Sequence, residues 1–242
     1  MTIPPLIELK NICFSYPGST SPLFKELNLT IDEERIGLIG PNGCGKTSLL
    51  HLIVGLIRPA HGTLFFRGKK VCHERDFRPL RSEVGFLFQN SDDQLFSPTV
   101  LEDICFGPLN QGLSGADART VAERTMTRLG IGDFKDQLTH NLSGGEKKLV
   151  ALATILAMEP KLLLLDEPTN NLDPQTRIQL TGIIKGLELP HIIISHDWDF
   201  LEETSSVLYT IDHGLVRHCG HEQIHSHHHI HPYGNQPHRH DD

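Results

Sequence analysis

Ile36-Gly-Leu-Ile-Gly40-Pro-Asn-Gly-Cys-Gly45-Lys46-Thr47-Ser48-Leu-Leu50 is the stretch that decides how this chain is built. It opens on a short apolar run of strand character. It closes on Leu49, Leu50, Ile53 and Ile57 at helical spacing. Between them, Gly40-Pro41-Asn42-Gly43-Cys44-Gly45-Lys46-Thr47 matches GxxxxGK(S/T), in the strand–loop–helix setting that the motif's chemistry requires. Glycines let the backbone wrap so that successive N–H groups aim at phosphate oxygens, and the helix N-terminus adds a favourable dipole. Lys46 is then expected to reach the β- and γ-phosphates of a nucleoside triphosphate. Thr47 is expected to ligand Mg2+, with Ser48 beside it in the same site.

Working outward, Ile12, Phe14 and Tyr16 alternate, as do Leu27, Leu29 and Ile31, across a turn-like PGSTSP. This predicts β structure before the loop. A second short β segment, Gly62-Thr-Leu-Phe-Phe-Arg-Gly68, is bracketed by glycines. From about Ser91 to Gly145 polar loops and helices take over, with Ala122, Met126 and Leu129 at helical spacing. The β/α alternation then returns: Lys161-Leu-Leu-Leu-Leu-Asp166, a helix on Leu180, Ile183, Ile184 and Leu187, and the strand Ile192-Ile-Ile194. Near-continuously apolar strands alternating with helices imply an α/β protein with a mostly parallel sheet covered on both faces, and the helical stretch reads as an insertion into it.

The second chemical signal is Asp166-Glu167 at the end of the Leu162–Leu165 run. A buried strand delivers these carboxylates to the C-terminal edge of the sheet, where ligands bind in open α/β folds. Asp166 is expected to hold the Mg2+ shell and Glu167 to polarise an attacking water.

Composition bounds what else the chain does. Hydrophobic residues make up 38% and charged residues 21% of the 242, which is ordinary for a globular protein. The formal charge of −8 argues against a nucleic-acid clamp, so no nucleic-acid partner is expected. No apolar run approaches the ~20 residues needed to span a bilayer, and MTIPPLIELK lacks the pattern of a signal peptide. Five scattered cysteines without a CxxC pair read as free thiols of a reducing compartment.

Leu142-Ser143-Gly144-Gly145-Glu146 completes a set that resembles the ABC ATPase family, and the resemblance covers Ile7 to about Gly220. Its S-x-x-E is also a capping box. The resemblance implies an ABC-type P-loop ATPase fold with a mostly parallel core sheet, an antiparallel β subdomain and an inserted helical subdomain at about residues 91–158. The nucleotide-binding domain would span residues 1–220, followed by a tail at 221–242. It further implies a nucleotide-sandwich dimer, with itself or a paralogue, using ATP and Mg2+. Lys46, Thr47, Asp166, Glu167 and His196 would come from one chain and Ser143 to Gly145 from the other. Tyr16 looks like the aromatic residue that stacks on adenine. Gln89 looks like the residue that touches Mg2+ or water and senses a membrane partner. Asp173, in Asn171-Leu172-Asp173, resembles the contact to the opposite subunit, and His196 the switch histidine on the γ-phosphate. One departure is Lys147, where a glutamine is more usual.

The segment from Asn90 to Asn110, with DDQLFSPTV and FGPLN, resembles the energy-coupling-factor subgroup, whose ATPases drive prokaryotic uptake of metal ions or vitamins. Integral membrane subunits would dock near Gln89–Asn110, placing the chain on the cytoplasmic face of a prokaryotic membrane. Ten of the sixteen histidines lie between His213 and His240. Neutral imidazole suits nickel and cobalt, so His225, His227, His228, His229 and His231 are candidate ligands, and nickel or cobalt the candidate solutes. The composition after Gly220 supplies no packed core and is expected to be disordered. A non-transport ABC ATPase usually shows two cassettes or a long coiled coil. Here about 100 residues separate Gly40 from Leu142, without heptads.

Overall fold

The structure, a computed structural model, describes residues 4–219; the expectations placed on His225, His227, His228, His229, His231 and the rest of the tail lie outside them. Strands β1 (Ile7–Phe14), β2 (Phe24–Ile31), β4 (His61–Phe66) and β5 (Lys69–Val71) form an antiparallel sheet in the order β2-β1-β4-β5. A second, six-stranded sheet runs β10-β9-β3-β8-β7-β6. Its members are β3 (Arg35–Ile39), β6 (Val84–Leu87), β7 (Leu162–Asp166), β8 (His191–Ile194), β9 (Val207–Asp212) and β10 (Leu215–Cys219). All its pairings are parallel except the β9–β10 hairpin. The helices are α1 (Lys46–Val54), α2 (Glu74–Glu83), α3 (Val100–Asn110), α4 (Gly115–Leu129), α5 (Gly144–Leu156), α6 (Pro174–Lys185) and α7 (Trp198–Thr204).

Strand β7 explains why a continuous apolar run was needed. Successive side chains of a strand point to opposite faces. Leu162 and Leu164 join the core shared with α1 and the antiparallel sheet, where Leu49, Leu50, Phe24 and Leu27 are buried. Leu163 and Leu165 join a second core with the apolar faces of α3, α4, α5 and α6. All five β7 residues are buried.

The chain leaves the six-stranded sheet after Leu87 and returns at Leu162, on the strand that pairs with β6 (Val84↔Leu162, Leu87↔Leu165). Helices α3 to α5 fill that excursion. The order β3-β8-β7-β6 sets four strand C-termini side by side. From them emerge the glycine loop, His196, the Asp166-Glu167 pair and Gln89.

Three details depart from the sequence reading. Helix α1 stops at Val54 because Gly55, at φ 73°, caps it, so Ile57 lies beyond the helix and packs against the core from a loop. Only glycine fits there, since a Cβ would lie 2.3 Å from Phe77 Cε1. Leu187 likewise follows the end of α6. Tyr16 stands two residues past β1, in a turn, so it is not the next strand position after Phe14.

Candidate nucleotide site

The loop between β3 and α1 takes left-handed backbone at Gly40 (φ 138°), Gly43 (φ 79°) and Gly45 (φ 111°). Gly45 is the N-cap of α1. No side chain caps this helix and its first turn carries no acidic residue. A helix start leaves several N–H groups without intrahelical partners, so this end suits an anion. Gly45 is required for space as well as for conformation: a Cβ would sit 2.7 Å from Phe24 Cε1, in the core. The Lys46 ammonium donates to the carbonyls of Gly40 (2.7 Å) and Pro41 (3.1 Å) and is 7% exposed. Those two residues therefore orient the lysine from beneath, and Cys44 packs toward the core.

Asp166 ends β7 with 2% exposure, and its Oδ1 has no hydrogen-bond partner among the described residues. Burial pushes its carboxyl above the usual carboxylate range, against the Thr47 hydroxyl, His51, Lys148 and Lys46, which draw it down. A buried carboxylate oxygen left unpaired beside the Thr47 hydroxyl is the hard-oxygen environment that suits Mg2+. The donor set fits the metal.

Glu167 follows with φ 47°, a left-handed conformation uncommon for a residue with a side chain. Its N–H donates to Ile194 O at 2.9 Å, which locks the turn to the end of β8. Its Oε1 lies 3.3 Å from His196 Nε2; the carboxylate side chain is 13% exposed and the imidazole 59%. Burial raises the Glu167 carboxyl, with the neighbouring His196 opposing.

A cleft of about 440 Å³ collects Tyr16, Asn42, Gly43, Gly45, Lys46, Thr47, Ser48, Gln89, Asp166, Glu167 and His196. Leu23, Asn170 and Ile194 also line it and were not foreseen from the sequence. The Tyr16 hydroxyl and Ser48 Oγ are 2.9 Å apart, and the Tyr16 ring stands edge-on to Phe14.

Ser143, Gly144, Gly145 and Asp173 do not line this cleft. Ser143 and Glu146 cap α5 reciprocally: Ser143 N–H donates to Glu146 Oε2 at 2.7 Å, and Glu146 N–H to Ser143 Oγ at 3.3 Å. Asp173 caps α6, accepting from the N–H groups of Gln175 and Thr176. The two helix starts are neighbours, because a Cβ on Gly145 would lie 3.3 Å from Asp173 Oδ2.

Lys148 was missed. It is 4% exposed, and its Nζ donates to the carbonyls of Gln89 (2.7 Å) and Phe88 (3.2 Å). Burial pulls its pKa down to about 8, with Asp166 and Glu167 pulling the other way. A helical projection carried a signal. Lys148 shares the i±3, i±4 face of α5 with Gly145, Leu152 and Ile155, all buried.

A sequence profile described as ABC transporter matches residues 24–170, more than half of the chain. The chain belongs to the ABC transporter family. It is an ATP-binding subunit with the fold expected above. A protein of Nitratidesulfovibrio vulgaris named as an ABC transporter ATP-binding protein is 50% identical over 246 residues, covering 98% of this chain and 90% of its own length. The energy-coupling factor transporter ATP-binding protein EcfA of Methanothermobacter thermautotrophicus is 38% identical over 214 residues, 86% of this chain and 68% of its own. Among solved structures, cbiO1 from Clostridium perfringens, part of the ABC transporter complex cbiONQ, is similar with a TM-score of 0.78 at 33% identity, over 88% of this chain and 87% of that one. The ATP-binding cassette MJ0796, a dimer bound to ADP and Pi, gives a TM-score of 0.79 at 25% identity, over 88% and 97%.

Proposed function

We propose that this chain is the ATP-hydrolysing subunit of an energy-coupling-factor importer for nickel or cobalt ions, peripheral to the cytoplasmic face of a prokaryotic membrane. The observation that carries the ATPase reading is the meeting of Lys46, Thr47, Asp166, Glu167, Gln89 and His196 in one cleft, from four adjacent strand ends. The glycine loop and the uncapped start of α1 hold the phosphates, Lys46 bears on the β- and γ-phosphates, and Tyr16 offers its ring to adenine. Thr47, Asp166 and Gln89, which line the cleft, would hold Mg2+, and the ion would neutralise charge on the phosphates. Glu167 accepts a proton from the attacking water, and His196 orients Glu167 and contacts the γ-phosphate.

The dimer reading is supported by Ser143–Gly145 and Asp173 lying together outside the chain's own cleft, where they suit a second subunit's nucleotide, and by the dimeric state of MJ0796. Docking of membrane subunits near Gln89–Asn110 is supported by Phe96, Phe106 and Leu109, which are exposed, with the two phenylalanine rings in edge contact. Among the described residues no helix is long and apolar enough to cross a membrane. The solute reading leans on the likeness to EcfA and cbiO1 and on the histidines between His213 and His240.

Co-expression with the membrane subunits and reconstitution into vesicles tests this. ATP-dependent nickel or cobalt uptake that stops in Glu167→Gln is the expected result. Uptake of a vitamin instead would overturn the solute, and undiminished hydrolysis by Glu167→Gln would overturn the site.

A further inference from the structure

The segment that follows β6 is fastened to helix α5 by three side chains. Lys148 donates to the Phe88 and Gln89 carbonyls. Lys147 Nζ pairs with Asp92 Oδ1 at 2.6 Å. Gln94 Nε2 donates to Ala151 O (2.9 Å) and Thr154 Oγ1 (3.1 Å), while its Oε1 accepts the Phe88 N–H (3.2 Å). Of the three, the Lys148 contact is the buried one that grips Gln89 itself. Lys147 and Asp92 are a surface pair with the aspartate 64% exposed, and such pairs contribute little.

The chemistry of the Lys148 contact is specific. An ammonium has three donors and no acceptor, and here two of them meet main-chain carbonyls. It therefore fixes the path of the backbone at Gln89 and leaves that side chain to face the cleft, which it lines. The helix that carries the lysine is the one that Ser143 and Glu146 cap, and Lys148 sits about one turn from that start. A buried charge needs a reason, because packing alone is served by an apolar residue such as Leu149 beside it. The charges facing it are Asp166 and Glu167, both in the cleft.

We propose that Lys148 is a positioning residue for ATP hydrolysis: its ammonium, held between the Phe88 and Gln89 carbonyls, fixes Gln89 in the cleft and joins it rigidly to the helix that begins at Ser143–Gly145. Gln89, at one wall of the chain's own nucleotide cleft, and the helix start offered to a second subunit thereby move together. This rests on the ATPase reading of the cleft.

The test compares wild type, Lys148→Met and Lys148→Gln in the full chain. Lys148→Met keeps the length and removes the donors. Lys148→Gln restores N–H donors without the charge. Three readouts are taken: kcat and KM for ATP, amide hydrogen exchange over residues 88–95 without nucleotide, and the melting temperature. The expected result for Lys148→Met is a kcat lowered about 10- to 100-fold with KM changed less than about twofold, and exchange over 88–95 about tenfold faster. Lys148→Gln is expected to recover much of both. Unchanged exchange in Lys148→Met overturns the latch. Faster exchange with unchanged kcat overturns the positioning role, as does equal loss of kcat in both variants in step with lowered melting temperature. Should Lys148→Met fail to fold, Lys148→Gln against Lys148→Arg decides by the same readouts. Failure of the ATPase reading looks different: wild type itself would not hydrolyse ATP, and the exchange over 88–95 would still decide whether Lys148 holds the segment.

Discussion

His196 Nε2 stands 3.3 Å from Glu167 Oε1, an exposed imidazole against a largely enclosed carboxylate, each at the end of one of two adjacent strands. The Glu167 N–H is tied at the same time to Ile194 O, two residues before His196. The carboxylate is thus held from both its backbone and its side chain. A base held this way loses little freedom when it takes a proton.

Glu167→Gln keeps the shape and removes the base. ATP affinity is expected to stay within about threefold while turnover falls by about 10²–10⁴. His196→Ala leaves the carboxylate but frees it, for a loss of about 10- to 100-fold. Nucleotide binding by fluorescence and phosphate release at steady state check both.

Asp166→Asn separates stability from function. Burial raises the Asp166 carboxyl above its ordinary value of 3.8, so the folded chain binds its proton more tightly than the unfolded chain does. Stability from this group then falls as pH rises through the window between those two pKa values, and at neutral pH the ionised, buried form is a net cost. The asparagine variant is expected to melt higher than wild type at pH 7.5 without nucleotide, by about 2–4 °C for each kcal/mol relieved. The gain should shrink as pH approaches 4. Added Mg2+ with ATP should stabilise wild type and not the variant. Scanning fluorimetry across pH reads all three.

Gly45→Ala meets two obstacles at once, a φ of 111° and the Phe24 ring 2.7 Å from the new Cβ. Phe24 is fully buried and has nowhere to move. The variant is expected to lose about 2–4 kcal/mol of stability and most ATP affinity, measured by urea denaturation and nucleotide binding. Gly43→Ala shares a positive φ (79°) but meets nothing within 4 Å, so its loss should be the smaller one.

The contrast between those two glycines shows where sequence reading ran out. The glycine loop, Asp166-Glu167 and the Ser143–Glu146 cap were legible because each is local: the motif and the element that positions it lie within a few residues. The sheet edge followed, because parallel strands bring their C-terminal residues to one edge; that these four ends are neighbours there comes from the order β3-β8-β7-β6, which no local pattern carries. Lys148 was not legible from its neighbours, since in the run Glu146-Lys147-Lys148 it looks like solvated charge. Its partners are the Phe88 and Gln89 carbonyls, about 60 residues away. Asn170 in the cleft is of the same kind. The missing elements had local reasons. Helix α2 contains Pro79 and buries only Phe77 and Leu80, α7 has seven residues, and β9 is only partly buried, so each offers too few apolar residues or too little length to stand out.

Arg177 and Asp197 make the last long-range link that bears on the site. Arg177 Nε donates to Asp197 Oδ2 at 2.5 Å and its Nη2 to Oδ1 at 2.7 Å, a two-pronged pair. Arg177 stands in the first turns of α6, whose cap is Asp173; Asp197 caps α7 and directly follows His196. The start of α6 is therefore tied to Asp197, the residue after His196, through two parallel hydrogen bonds. Arg177→Met should lower stability by about 1–2 kcal/mol, the pair being only partly buried, and reduce kcat with little change in KM. Arg177→Lys is the discriminating variant. An ammonium keeps the charge but cannot match both carboxylate oxygens in a planar fork. If charge alone sufficed, the lysine variant would restore kcat. The geometry argues that it restores part of the melting temperature and little of the turnover, and the two measurements side by side decide it.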